Sequence, residues 1–301
     1  MDSLPSHIQS KLQEMFAQFD LKEQYANLSN LYKTNIANPS LTEQMGVAYA
    51  CGRMPATFSV VKNVLQKFYE KGLHFDSVLD IGAGPGTLKL ALSEEVQYSA
   101  IEQSESMLKI FQTLHGNKNN VAKTSLQKFI KQQNYDAVFA SYVINEIENK
   151  ESCIKKLFEL SSKYIFIIEP GTPVGFQNIL LAKKIAPKYN AKVIMPCSVT
   201  ENCPINSGDW CHFSVRLPRI FEHQLIKSGK LSYEDEKFCF VIFAKDSADE
   251  FVNSTVVKKP IKKKGHVIFD VCKQGKIERV VVPTKKLEKE ISWGDNLEIK
   301  Q

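Results

Sequence analysis

The ten residues VLDIGAGPGT, positions 78–87, restrict this chain more than any other stretch. An apolar strand ending at Asp80 must turn through Gly82, Gly84 and Gly86 into a helix beginning near Leu88. Glycine is required where the backbone passes close to a ligand or adopts conformations closed to other residues. Short apolar runs repeat on both sides of helical stretches: SVLDIG (77–82), YSAIE (98–102), YDAVFAS (135–141), KYIFIIEPG (163–171), AKVIMP (191–196) and KFCFVIFAK (237–245). Buried strands separated by helices produce this rhythm, which predicts an α/β fold built on a largely parallel sheet.

The flanks differ in texture. Residues 1–75 read as a helical region, with three- and four-residue apolar steps in LQEMFAQF and in FSVVKNVLQKFYEKG, the latter closing on Gly72. Pro55 suits the first turn of that second helix. The α/β domain covers 76–245. A basic C-terminal β unit follows at 246–301, with HVIFDV and IERVVV around a Gln274-Gly275 turn. From Val256 to Lys289 there are ten lysines and one arginine against Asp270, Glu278 and Glu288. That imbalance favours a polyanionic partner.

Composition enters through compartment. The 43% hydrophobic and 24% charged content fits a soluble globular protein, and no run approaches the roughly 20 apolar residues of a membrane span. The start, MDSLPSHIQSKLQEMFAQFD, has neither a secretory signal pattern nor an Arg-rich presequence. The expectation is a cytoplasmic, monomeric protein with reduced thiols, no membrane association and no disulfides.

Two cofactor classes use the strand–glycine turn–helix. The dinucleotide version requires GxGxxG. Here the third glycine comes one position early, and Thr87 stands where the dinucleotide glycine belongs. Glu102, which closes the next strand, is placed to accept hydrogen bonds from ribose hydroxyls. Loop, acid and fourth strand in this order resemble class I S-adenosylmethionine (SAM) methyltransferases. That resemblance implies that Asp80, Gly82, Gly84, Gly86 and Glu102 bind SAM. No catalytic residue can be named. The fourth strand runs into SYVINE and lacks the Asn/Asp-Pro-Pro-aromatic motif of amino methyltransferases, and no cysteine is placed as a nucleophile near it.

Three of the seven cysteines fall in PCSVTENCPINSGDWCHF, inside a loop spanning 195–215. Five residues separate Cys197 from Cys203, and seven separate Cys203 from Cys211. Structural zinc sites favour tighter pairs, whereas thiolates spread along a loop suit the corners of an iron–sulfur cube. Cys51, Cys153 and Cys239 read as small core residues. Cys272 stands at the mouth of the hairpin turn, and His212 is a competing fourth ligand.

EPGTPVGF (169–176), the cysteine loop, RLPR (216–219), YEDEKFCFVIF (233–243) and WGD (293–295) follow GRMPATF and the glycine loop in order. Together they closely resemble the predicted rRNA methyltransferase family of small-ribosomal-subunit assembly factors, found in bacteria and mitochondria. The resemblance covers about residues 45 to 295. It implies a [4Fe–4S] cluster on Cys197, Cys203, Cys211 and Cys272, and binding to small-subunit rRNA on the assembling subunit. Four alternatives stay open: zinc on the same thiols, buried thiols without a metal, a zinc-containing SAM-dependent methyltransferase of another substrate, and a non-catalytic RNA-binding factor with the same fold.

Overall fold

The computed structural model describes residues 3–33, 41–116, 120–131, 133–199, 203–205, 208–246 and 254–297. They divide into two compact units, Met1–Ser162 with Val215–Glu236, and Lys163–Ser214 with Lys237–Gln301.

The first unit opens with four helices: α1 (Ser6–Phe16), α2 (Lys22–Lys33), α3 (Glu43–Gly52) and α4 (Met54–Glu70). Thr42 caps α3 by accepting from the Met45 N–H. Pro55 sits in the first turn of α4, and Gly72, with φ at +73°, follows its end. The alternating region then begins with β1 (Ser77–Ile81), α5 (Thr87–Ala91), β2 (Gln97–Glu102), α6 (Glu105–His115), β3 (Val121–Lys123), β4 (Tyr135–Ser141) and α7 (Lys150–Leu160). These strands run parallel in the order β3-β2-β1-β4, with Asp80 opposite both Ala100 and Phe139. Ile8, Leu12, Val47, Cys51, Met54, Phe58, Ile110 and Leu114 share one buried cluster. The helical region and α6 therefore share a core.

In the second unit β5 (Ser161–Pro170) leads to α8 (Pro173–Ile185) and β6 (Ala191–Met195). After the cysteine loop come β7 (Phe213–Pro218), α9 (Phe221–Ile226) and β8 (Tyr233–Lys245), of which Val215–Glu236 belong to the first unit. β8 pairs antiparallel with β5 on one side and β6 on the other. The parallel order 3-2-1-4 of the first unit, and in the second a late strand running antiparallel between β5 and β6, are each features of the class I SAM methyltransferase fold. β7 is an added strand, paired with β8.

A separate antiparallel sheet is made by β9 (Ser254–Val256), β10 (Ile261–Lys263), β11 (His266–Lys273) and β12 (Lys276–Pro283). Gln274 and Gly275 both have positive φ, +46° and +75°, as a two-residue hairpin turn matching strand twist requires. Val256, Phe269, Val271 and Val282 fill its core. Among the described residues, no helix is long and apolar enough to cross a membrane.

The start of β8 is held by ion pairs of unequal burial. Arg53 meets Glu236 through two contacts of 2.8 and 3.3 Å, with the Glu236 side chain 10% exposed. The neighbouring Arg216–Asp235 pair is about 45% exposed on both sides. Removing one partner of a largely buried pair strands a charge, whereas exposed pairs contribute little. Glu236→Ala should therefore cost about 3 kcal/mol and Asp235→Ala less than about 1 kcal/mol in urea unfolding. Equal costs would contradict this ranking.

Candidate functional site

The glycine loop is fixed by its own backbone. The N–H groups of Gly82 and Ala83 both donate to the Ile101 carbonyl, and the Gly86 N–H donates to that of Ala83. His115 Nε2 lies 3.0 Å from the Pro85 carbonyl. Burial pushes its imidazole down to about 4, so the ring is neutral and donates from Nε2.

The three glycines are not equivalent. All have positive φ, at +66°, +53° and +81°. A Cβ on Gly82 would come within 2.8 Å of Val143, and one on Gly86 within 2.4 Å of His115 and 2.6 Å of Phe111. A Cβ on Gly84 would meet nothing within 4 Å. Gly82 and Gly86 thus permit packing, and Gly84 borders open space.

That space is a cavity of about 460 Å³ in the first unit, walled by Gly82, Gly84, Glu102, Thr124, Ser141 and Tyr142 among others. Its volume falls in the range of small-molecule sites. Glu102 accepts from the Gly84 N–H at 2.8 Å and the Ser104 N–H at 2.7 Å. Burial raises its carboxyl, and those N–H groups, with that of Gln103, act against the rise. Asp80 and Gly86 are not among the lining residues. Asp80 is 3% exposed and accepts from the Tyr98 hydroxyl at 2.8 Å; burial pushes it up to about 7.

At the end of β4 the chain bends sharply. Tyr142 takes φ of +61°, unusual for a bulky residue, and a 3-10 turn covers Ile144–Glu146. Among the described residues, Ser141 Oγ and Asn145 Oδ1 are buried there without a hydrogen-bond partner, and Ser141 lines the cavity. Buried polar atoms left open in this way suit an incoming polar ligand.

In the second unit, Cys197, Cys203, Cys211 and Cys239 line a small apolar cavity of about 30 Å³, together with Lys183 from α8 and Phe240. The Cys239 thiol donates to the Cys211 carbonyl at 3.0 Å, and Lys183 Nζ stands 3.8 Å from Cys197 Sγ. Burial, then the neighbouring Cys197, Cys239, Cys203 and Cys272, push the Cys211 thiol well up. Burial, Cys197 and Cys203 push Cys272 up to about 12, with Lys183 acting against them. Cys272 thus lies within electrostatic reach of the loop thiols. Thr255, opposite Cys272 in β9, donates its hydroxyl to the Pro196 carbonyl and ties the loop to the C-terminal sheet.

His212 is not among the residues lining this cavity. Its ring stacks on Trp210 and meets Trp293 edge-on, while Trp210 Nε1 donates to the Gly171 carbonyl. Cys51 and Cys153 are buried in α3 and α7. Among the described residues, no group of three or more His, Cys, Asp or Glu side chains is arranged to hold a metal ion. Residues 200–202 and 206–207 of the 195–215 loop lie outside the described residues. Cys239 and Lys183 were not read from the sequence as members of this site. Lys183 had left a signal, since Phe176, Ile179 and Lys183 follow one helical stripe that is otherwise apolar.

The family described as mitochondrial small ribosomal subunit Rsm22 matches residues 43–298, which contain both the glycine loop and the four cysteines. The chain belongs to the Rsm22 family. This is the family toward which GRMPATF, the cysteine loop and WGD pointed. Two Rsm22-cox11 tandem proteins of Schizosaccharomyces pombe, both mitochondrial, are 22% identical over 85% of this chain. This Rsm22-family chain spans 43% of their length. Among solved structures, the plantazolicin methyltransferase BpumL bound to SAH is similar at a TM-score of 0.44 and 14% identity, covering 79% of this chain and 99% of that one. Magnesium protoporphyrin IX methyltransferase from Synechocystis PCC 6803 with bound SAM gives 0.41 and 14%, covering 72% and 90%. Likeness at this level bears on neither substrate nor chemistry.

Two outcomes test the loop. Gly86→Ala, which adds a clash to left-handed strain, should lower stability by about 2 kcal/mol or more, and Gly84→Ala by only about 1 kcal/mol from the strain. Asp80 binds its proton more tightly folded than unfolded, so the folded state holds more protons between about pH 4 and 7. Its contribution to stability is therefore lost as pH rises through that window. Asp80→Asn should be neutral near pH 4 and stabilising, on the order of 4 kcal/mol, above pH 7. A difference from wild type that does not change with pH would contradict the raised carboxyl.

Proposed function

We propose that this chain is a small-ribosomal-subunit assembly factor that binds rRNA, holds SAM in the cavity of its first unit and carries a metal centre in its second. The observation that carries most is that one family match spans the glycine loop, all four cysteines and the basic C-terminal sheet. A cytoplasmic setting and a monomeric state, both read from the sequence, belong to the same proposal.

For SAM, Glu102 retains lone pairs for ribose hydroxyls, because each carboxylate oxygen accepts more than one hydrogen bond. Gly84 leaves the backbone open beside them. Ser141, which lines the cavity, offers an unpartnered hydroxyl for a polar group at the end of β4. Whether methyl transfer follows depends on a base reaching that end of the cavity. A non-catalytic factor would use the same groove for SAM alone.

Soft sulfur donors fit an iron–sulfur group. Cys197, Cys203, Cys211 and Cys272 would hold it, leaving Cys239 as a thiol that donates to the Cys211 carbonyl. Four protein thiolates fill one site on each iron, so the group would join the loop to the C-terminal sheet as a structural link. One observation favours the second reading, a single zinc ion: a cavity of about 30 Å³ has room for one ion, and a cube requires the loop to part. Purified anaerobically, the protein should be brown and contain iron and sulfide. Colourless protein with one equivalent of zinc would replace the cluster with the second reading. Cys272→Ser should reduce metal content, and Cys153→Ser should leave it unchanged.

All ten lysines between Val256 and Lys289 are exposed. Lys258 and Lys262 pair with Asp209 and Glu290. Lys259, Lys263 and Lys264 are therefore better placed for phosphates. Replacing these three by alanine should lower the slope of log affinity for single-stranded rRNA against log salt by about 2, measured by filter binding; an unchanged slope would remove the RNA surface from this sheet. Calorimetry should show SAM binding to wild type and none to Gly84→Val. Crosslinking in cells, with methylation mapped in the knockout, decides between the enzyme and the non-catalytic factor.

A further inference from the structure

The cysteine site contains a cation that neutral thiols do not account for. Lys183 is 5% exposed, and its ammonium reaches Cys197 Sγ at 3.8 Å. Among the described residues no carboxylate forms an ion pair with it; the buried Glu169 of the same unit accepts from Asn178 at 2.7 Å. The next residue, Lys184, is exposed, as lysines ordinarily are.

Taking an ammonium out of water costs several kcal/mol unless negative charge meets it. A neutral thiol is a weak acceptor and supplies none. Thiolates bound to a metal do. Four of them around a dipositive centre leave a net charge of −2, whether the centre is zinc or an oxidised cube. Cys197 is in contact with the ammonium, and Cys272 feels its field.

We propose that Lys183 is the counter-ion of the metal–thiolate centre. It offsets the charge that the thiolates bring into the protein and, if the centre is a cube, favours the form carrying one more electron. The inference rests on the metal reading above. It gives Lys183 a positioning role, acting on the centre through charge. A fixed positive charge stabilises a −3 centre more than a −2 centre in a low-dielectric site, so its removal moves the reduction potential to more negative values.

The test compares Lys183→Met, Lys183→Arg and the exposed control Lys184→Met in the full chain, purified anaerobically. Metal content, loss of metal to a chelator, unfolding of metal-free protein, and the midpoint potential by dithionite titration are measured. Lys183→Met should lose metal at least tenfold faster. It should also shift the midpoint negative by about 59 mV or more, the equivalent of tenfold for one electron. Metal-free Lys183→Met should be as stable as wild type or more so, because an unpaired buried charge has gone. Lys183→Arg and Lys184→Met should stay near wild type.

Equal losses of stability with and without metal would make Lys183 a packing residue and overturn the proposal. Metal retained at wild-type rate with an unchanged midpoint would also overturn it, while leaving the metal reading intact. Wild-type protein without metal would overturn the metal reading and this proposal with it. If the metal is zinc, the chelator rate and the metal-free stability carry the test.

Discussion

Charge taken out of water must be met inside the protein, and each buried ionisable group here meets that demand differently. Glu234 is burdened by burial, yet His223 Nε2 at 3.2 Å and the hydrogen bond from Lys227 at 2.7 Å outweigh it and hold the carboxyl well below the usual range. Arg219 adds a contact at 3.1 Å. Asp80 has a single tyrosine hydroxyl, which is too little, and its carboxyl rises to about 7. Glu102 lies between, with several N–H groups that reduce but do not cancel the effect of burial. Asp80 and Glu102 are buried and Glu234 is half-buried, and the three end in different states because both their depth and the charge of their partners differ.

That ordering separates scaffold from site. A carboxylate surrounded by Arg219, His223 and Lys227 is fully committed, and it fastens the start of β8 in place. Glu102 is committed only through backbone N–H groups and faces a cavity, so its remaining lone pairs are available. Gly84 shows the same distinction in steric form: it borders open space, whereas a Cβ on Gly82 or Gly86 collides with the protein itself. Conformation alone would not have told the three glycines apart, since all have positive φ.

Strands buried on both faces were legible. YDAVFAS coincides with β4, and SVLDIG and AKVIMP end within a residue of β1 and β6, because continuous apolar runs have few alternatives. The beginning of β8 was not legible. YEDE looks like a solvated loop, yet Glu234 and Glu236 turn toward Arg219 and Arg53 while Asp235 faces out to Arg216. The alternation of a strand is present there, with ion pairs in place of apolar contacts. β3 and β9 escaped because three residues carry no period, and β7 because FSVRLP runs on from the cysteine motif.

The cysteine site shows the same limit more sharply. The spacing of Cys197, Cys203 and Cys211 is a local property and can be read directly. Which other groups face them is set by the register of β8 and by one face of α8. Register places Cys239 opposite Glu169, and helical period places Lys183 in line with Phe176 and Ile179. Both residues reach the cavity by tertiary packing, with no motif of their own. The helical period already marked Lys183 as a cation on a buried stripe, and burial of a cation calls for an anion. A lysine in a core stripe is therefore a pointer to concentrated negative charge, which the metal–thiolate centre proposed for the second unit would supply.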